Sequence, residues 1–261
     1  MAECKYGGYQ DYRGGGHFSG RLTAALVVVG AIFSFALLKK GIKIGTHICE
    51  LHGAYDRRFD EDIEKDIDIL ASRNFPTLTE SAENNMKEEI LKAREKLDSV
   101  GGILESAITG LPIGLGEPWF DSAESTISHI LFSVPGVKGV EFGAGFALAD
   151  MYGSEANDPF TLDGDKVITK TNNAGGINGG ITNGMPIIVR TAVRPTPSIY
   201  KAQETVSLSK MENTVLEIEG RHDPAIIHRA APVVSAALAI AVSDMLTVRF
   251  GTNYLSEDEK D

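Results

Sequence analysis

The sequence predicts a mixed α and β fold, on three observations. Two long apolar stretches, residues 22–38 and 232–250, have the length and composition of helices covered on all sides. Short runs at 41–49, 137–142 and 187–193 have strand character, the first by alternation of apolar and polar residues. A connector at 172–199, rich in glycine, proline, amides and hydroxyls, sits around the last of these runs and reads as a ligand-binding loop system followed by a strand.

Taken in order, residues 5–20 read as an ordered ligand loop, with Ser19 placed to cap the helix that follows. The stretch 22–38 has no charge and is flanked by Arg21 and by Lys39 and Lys40. It lies at the bottom of the length range that spans a bilayer. The polar, glycine-rich residues abutting its start favour a core helix buried in protein. Residues 57–68 alternate in charge and read as a solvated surface segment. Met86, Ile90 and Leu97 predict a surface helix over 81–100 with one buried face and a Glu88–Lys92 pair. Glycines and prolines then interrupt at 101–115, and a helix is expected over 118–132, ending before Pro135 and Gly136. Residues 206–219 mix strand-like alternation with charge, and 232–250 form the second apolar helix. One domain over 1–251 is expected, with an acidic, disordered tail over 252–261.

A chain of 261 residues buries a core without a metal or disulfide. Its formal charge of −11 argues against a general nucleic-acid binder but not against a local basic pocket. Two cysteines, Cys4 and Cys49, form neither a disulfide framework nor a metal-ligand spacing, and fit a reduced, cytoplasmic setting as bystanders. The opening residues are polar and glycine-rich, unlike a signal peptide. No Gly-Lys-Ser/Thr follows the glycines and GGINGG lacks the full dinucleotide fingerprint, so the generic nucleotide motifs do not apply.

What the glycines suit is an anion. Gly175, Gly176, Gly179, Gly180 and Gly184 leave room for close backbone approach, and Arg190 and Arg194 offer planar donors for carboxylate or phosphate. Six blocks carry a wider likeness, in this order: KYGGYQDYRGGGHFSGR from Lys5, LPIGLGEPWFDSAEST from Leu111, FSVPGVKGVEFGAGF from Phe132, NNAGGINGGITNGMPI from Asn172, RPTPSI from Arg194 and GRHDP from Gly220. From Lys5 to about Met245 the chain resembles the chorismate synthase family.

The resemblance implies an α+β fold, a β-α-β sandwich with antiparallel sheets around a central helical layer, in a cytoplasmic homotetramer. It implies a carbon–oxygen lyase that requires reduced FMN and converts 5-enolpyruvylshikimate 3-phosphate to chorismate and phosphate by an anti 1,4-elimination. His17, Phe18 and Ser19 then occupy cofactor-contacting positions, as do Pro135, Gly136, Gly179 and Arg221. Arg194, Pro195, Thr196, Pro197 and Ser198 match a further cofactor run in which Arg replaces the usual Lys, exchanging a point donor for a fork. Arg21 matches a substrate-binding arginine, and Asp223 a catalytic carboxylate. On the residues alone, a salt bridge from Asp223 to Arg221 or Arg229 is the favoured reading, and the family context turns it to catalysis. Neither a nucleic acid nor a membrane partner is implied.

The family has a segment before KYG holding two acid–base histidines, and His17, His47, His52 and His129 do not sit in those motifs. The chain is therefore expected to be a family member that is N-terminally truncated or has a misassigned start, with little or no turnover as it stands, the alternatives being a catalytically impaired flavin- or phosphate-binding fragment and a membrane-associated protein built on residues 22–38.

Overall fold

Eleven strands and seven α-helices form in the computed structural model, which describes residues 1–11, 13–59, 62–220 and 222–256. The strands are Lys43–Leu51 (β1), Ala54–Tyr55 (β2), Gly102–Thr109 (β3), Val137–Phe142 (β4), Phe160–Asp163 (β5), Lys166–Thr169 (β6), Ile177–Asn178 (β7), Ile181–Thr182 (β8), Ile187–Val193 (β9), Gln203–Ser207 (β10) and Glu212–Leu216 (β11). The helices are Ala2–Tyr6 (α1), Thr23–Lys39 (α2), Ile63–Ala71 (α3), Glu80–Glu95 (α4), Ala123–Ser133 (α5), Gly153–Ala156 (α6) and Ile227–Phe250 (α7). One antiparallel sheet in the order β2-β1-β3-β9-β4 holds the structure together, and β5–β6, β7–β8 and β10–β11 are separate two-stranded ribbons. The architecture is α+β, as expected.

Neighbouring side chains on a strand point to opposite faces. Thr46 of β1 accepts a hydrogen bond from Ser235 of α7 at 2.7 Å, while its neighbour Gly45 lies under Ile67 of α3. The sheet is thus covered by α7 on one face and by α3 on the other. Helix α7 is the centre of the core, burying Val234, Ala237, Leu238, Val242 and Leu246, and α2 and α5 pack against it. Tyr254 and Leu255 also pack on the core, while residues 257–261, in which the expected acidic tail ends, lie outside the described residues.

Four expectations change. Residues 101–115 contain β3, the middle strand of the sheet. It was unreadable as a strand because burial on both faces removes the alternation of apolar and polar residues. Residues 57–68 are solvated only in part: Arg57, Arg58, Asp62, Glu64, Lys65 and Asp68 are exposed, but Asp66 and Ile67 are buried and Arg57 forks onto Asp66. In α4, which buries Ala82, Met86 and Ala93, Lys92 pairs with Glu89 at 2.7 Å instead of Glu88, and Leu97 falls past the helix end.

The fourth concerns α2. Expected to be covered all round, it buries only Gly30 and Leu37, and Val28, Ile32 and Phe35 are 63%, 65% and 65% exposed. Its packing on α7 is narrow: a Cβ on Gly30 would lie 2.3 Å from Cβ and 2.4 Å from Cα of Ala236. Two described helices, the one at residues 20–39 and Ile227–Phe250, have the length and apolarity to cross a bilayer, and the second is mostly buried in the protein. Full burial of α2 would make Val28→Asp strongly destabilising. At an exposed site the change is expected to move folding stability by no more than roughly 1 kcal/mol, which a thermal melt measures.

On the α3 face a row of charges crosses four strands. His47 of β1 is opposite Glu105 of β3, Glu105 opposite Arg190 of β9, and Arg190 opposite Glu141 of β4. Glu105, 2% exposed, contacts His47 Nε2 at 3.1 Å and accepts from Arg58 at 2.9 Å and Phe59 N–H at 3.0 Å. Arg190 donates to Glu141 at 2.6 Å. Burial, reinforced by Glu105, pushes the adjacent Cys49 thiol up to about 12, so it stays protonated and inert.

Candidate active site

Strand register brings the start of β3, the end of β9 and the start of β4 to one end of the sheet, because Gly102 and Val137 both pair with Val193. Pro135 and Gly136 enter there and residues 194–198 leave there. Gly136 has φ +97°, open to glycine at little cost, and its carbonyl accepts from Arg194 N–H at 2.9 Å. The loop before β3 then clamps two segments at once. Ser99 Oγ donates to the Thr196 carbonyl at 2.6 Å, and Val100 N–H donates to the Pro224 carbonyl at 2.8 Å. Lys201 pairs with Asp98 at 2.6 Å, and the Tyr200 ring meets His222 edge-on at 4.3 Å. Five residues of the proline run, Arg194 to Ser198, are thereby joined to the segment containing His222, Asp223 and Pro224.

Asp223 is ion-paired with Arg229 of α7 at 2.5 Å, and both side chains remain partly exposed. The salt bridge that the residues alone allow is therefore formed, with Arg229 as partner; Arg221 lies outside the described residues. His222 turns away, its Nε2 2.8 Å from the Ile218 carbonyl. Burial and the neighbouring Arg229 hold His228 below the ordinary histidine range, with its ring stacked on Phe75 at 5.9 Å.

Helices α2 and α7 run parallel. Gly30 touches Ala236, and ten residues further along α2, Lys40 lies over the Tyr254 ring at 5.2 Å, beyond the end of α7. Ile227, the first residue of α7, lies against Gly102, so both helices begin at the end of the sheet just described. His17 and Phe18 close the 3-10 turn Arg13–Phe18, with Phe18 exposed and its ring 6.4 Å from that of Tyr6. Ser19 Oγ accepts from Arg21 N–H at 3.2 Å and so caps the 3-10 turn Gly20–Leu22 that leads into α2, not α2 itself, whose N-cap is Leu22; Thr23 Oγ1 donates to the Gly20 carbonyl at 2.6 Å. Two helix N-termini, each with partial positive charge, thus accompany Arg21, Arg194 and Arg229 at one end of the molecule.

Gly179 does not join them. It lies in the turn between β7 and β8, where Gly180 accepts from Ala123 N–H at 2.8 Å and Thr182 N–H donates to Leu115 at 2.9 Å. These contacts are beyond the far end of β3, about 23 Å from Gly102 at the usual rise per strand residue. The clamp residues Asp98, Ser99 and Tyr200 went unnoticed in the sequence because they belong to no motif. The adjacent Gly101 was their one signal, since a Cβ there would sit 2.8 Å from Pro195 Cδ.

The donor set suits an anionic molecule. Within the proline run itself, Thr196 Oγ1 is buried and without a hydrogen-bond partner among the described residues, the condition of a group that a ligand completes. No group of three or more His, Cys, Asp or Glu among the described residues could hold a metal ion.

With this geometry in place, comparison with known proteins is informative. The sequence profile of a family described as chorismate synthase matches residues 1–247. The chain is similar to the chorismate synthase of Thermococcus kodakarensis, with 46% identity over 248 residues that cover 95% of this chain and 68% of that protein. It is equally similar to the Pyrococcus abyssi protein of the same name, 46% identical over 248 residues with the same 95% and 68% coverage. A crystal structure of a chorismate synthase superposes with TM-score 0.82 at 28% identity, covering 98% of this chain and 72% of that one.

Proposed function

This chain belongs to the chorismate synthase family, and we propose that it serves the elimination of phosphate from 5-enolpyruvylshikimate 3-phosphate to give chorismate, in a cytoplasmic homotetramer that uses reduced FMN. The observation that carries this reading is the convergence of Arg194, the Asp223–Arg229 pair and two helix N-termini at one end of the sheet. The substrate brings two carboxylates and a phosphate, so its recognition is an anion problem, and Arg21 and Arg229 with the positive helix ends address it. Arg194 to Ser198, Pro135, Gly136 and the segment His17 to Ser19 would hold the cofactor, with Thr196 Oγ1 free to complete a hydrogen bond. Reduced FMN supplies, when bound, electron density that is returned in the same turnover, so the overall reaction has no net redox change.

The chemistry left to the protein is charge and proton management. As the allylic C–O bond breaks, phosphate leaves as an anion and the positive end of the molecule stabilises it. The C6–H bond gives up its proton, and the Asp223 carboxylate takes it. Arg229 holds the Asp223 carboxylate in place by the ion pair at 2.5 Å. Gly179 is not part of this arrangement within one chain.

A second reading has its own support: the match spans 68% of the first relative's length. On that reading the chain binds the flavin and the phosphorylated substrate without turning over. An anaerobic assay with chemically reduced FMN separates the two. Loss of a positioned proton-transfer group typically costs about 10²–10⁴ in rate, so the chain alone is expected to fall short of a fusion with the unmatched part of the Thermococcus kodakarensis relative by that factor. In the fusion, Asp223→Asn is expected to lower turnover by about 10²-fold or more while leaving the substrate and flavin dissociation constants nearly unchanged. Near-normal turnover with weakened folding or flavin binding would retire the catalytic role and leave Asp223 as a structural partner of Arg229.

A further inference from the structure

Residues 194–198 have little means of fastening themselves. Pro195 and Pro197 carry no N–H, so the run is held through its carbonyls and its few remaining N–H groups. At its start Arg194 N–H donates to the Gly136 carbonyl at 2.9 Å, and near its end the Pro197 carbonyl accepts from Gln203 at a long 3.3 Å. The short contact at its centre comes from Ser99, 97 residues earlier, whose Oγ donates to the Thr196 carbonyl at 2.6 Å. Ser99 lies on the turn between α4 and β3, and that turn is fixed on either side of it. Asp98 N–H closes the end of α4 on the Ala93 carbonyl at 2.9 Å, and the Asp98 carboxylate pairs with Lys201. Val100 N–H is bonded to the Pro224 carbonyl, and Gly101 packs on Pro195 with no room for a Cβ.

We propose that Ser99 is a positioning residue of the flavin site: by holding the Thr196 carbonyl it sets the direction of the Thr196 hydroxyl, which the flavin completes. The inference rests on the reading of residues 194–198 as the cofactor run. Thr196 Oγ1 is buried and has no hydrogen-bond partner among the described residues. Its direction has few ways to vary. The following Pro197 excludes the helical region for Thr196, and a β-branched side chain is stiff about its first torsion. What remains free is rotation of the peptide plane between Thr196 and Pro197, and the bond from Ser99 stops it. The same turn carries Val100, which holds the segment of Asp223, so two consecutive residues set the spacing between the cofactor run and the carboxylate. Ser99 itself touches neither ligand nor Asp223 and acts through Thr196.

The test is a binding measurement independent of turnover: anaerobic calorimetric titration of the full chain with chemically reduced FMN, with melting temperatures read in parallel. Ser99→Ala is expected to weaken binding roughly 5–10-fold, the worth of one hydrogen bond. Ser99→Thr keeps the hydroxyl and is expected to bind like the parent. Thr196→Val removes the group that the flavin completes and should weaken binding to a similar degree. The double variant Ser99→Ala, Thr196→Val should then bind no more weakly than Thr196→Val alone, because the serine has nothing left to aim. A merely structural Ser99 would lower the melting temperature and spare the dissociation constant, or the two losses would multiply in the double variant. Either result would overturn the positioning role, as would binding that survives Thr196→Val or a Ser99→Thr variant no better than Ser99→Ala. Failure of the parent chain to bind reduced FMN would be a different outcome, overturning the reading of residues 194–198 as the cofactor run and the proposal with it.

Discussion

Replacing Gly30 with valine is expected to destabilise the fold by about 3 kcal/mol or more, and even Gly30→Ala is expected to be unfavourable. The second change is the more informative, because on an isolated helix it would be favourable by about 1 kcal/mol. The sign reverses here because the added carbon would lie 2.3–2.8 Å from the Cβ, Cα and carbonyl oxygen of Ala236, two of them backbone atoms that cannot turn aside. The helices must then separate, exposing apolar surface along both. Urea denaturation of the parent and the two variants measures the effect. A stabilised Gly30→Ala protein would show that α2 and α7 are not locked together.

Removing the Glu105 carboxylate is expected to have a comparable effect by another route. Glu105→Leu leaves the buried His47, and Arg58 beside it, without their shared anion, and removing one partner of a buried ion pair typically costs roughly 3–5 kcal/mol. The same cluster makes stability depend on pH from both sides. Burial alone would lower the pKa of His47, but pairing with Asp56 and Glu105 outweighs it and holds the group above its ordinary value. That contribution is complete below the usual histidine range and is lost as pH rises through the elevated pKa. Glu105 and Asp56 titrate below the ordinary carboxylate range despite burial, held there chiefly by His47. Their contribution is complete above that range and is lost as pH falls through the lowered values. A stability plateau between these limits is expected. In Glu105→Gln, His47 keeps only one of its two carboxylate partners, so the alkaline decline should begin at lower pH. An unshifted alkaline limb in urea titrations at several pH values would show that His47 is not charged in the folded protein.

The sequence by itself determined the glycine-rich loops, their likeness to one family, and the residues of β1, β4, β9 and α7 to within a few positions. These are features of local composition: glycine where the backbone must approach something closely, Ser19 at a helix start, apolar runs of the right length. The order RPTPSI then GRHDP was legible in the same way, and the structure joins those two segments through Ser99 and Val100. Where the reading failed, partners distant in sequence decided the outcome. The strand β3 has buried residues on both faces and includes a charged one, Glu105, whose partners are His47 and Arg58, 58 and 47 residues away. Asp66 looked like a surface charge because nothing local shows that Arg57 folds back onto it. Helix α2 has the same apolar composition whether it is enclosed or bare. Only the packing of its Gly30 edge on Ala236 decides which side is covered and leaves Ile32 and Phe35 to solvent. The grouping of the site was likewise a tertiary result: parallel α2 and α7 and the pairing of Gly102 with Val193 place Arg21, Arg194 and Asp223 at one end, while Gly179, marked by the same kind of glycine motif, lies beyond the other. Composition is local and reports what a segment can do; burial and proximity are pairwise and depend on residues that the segment does not contain.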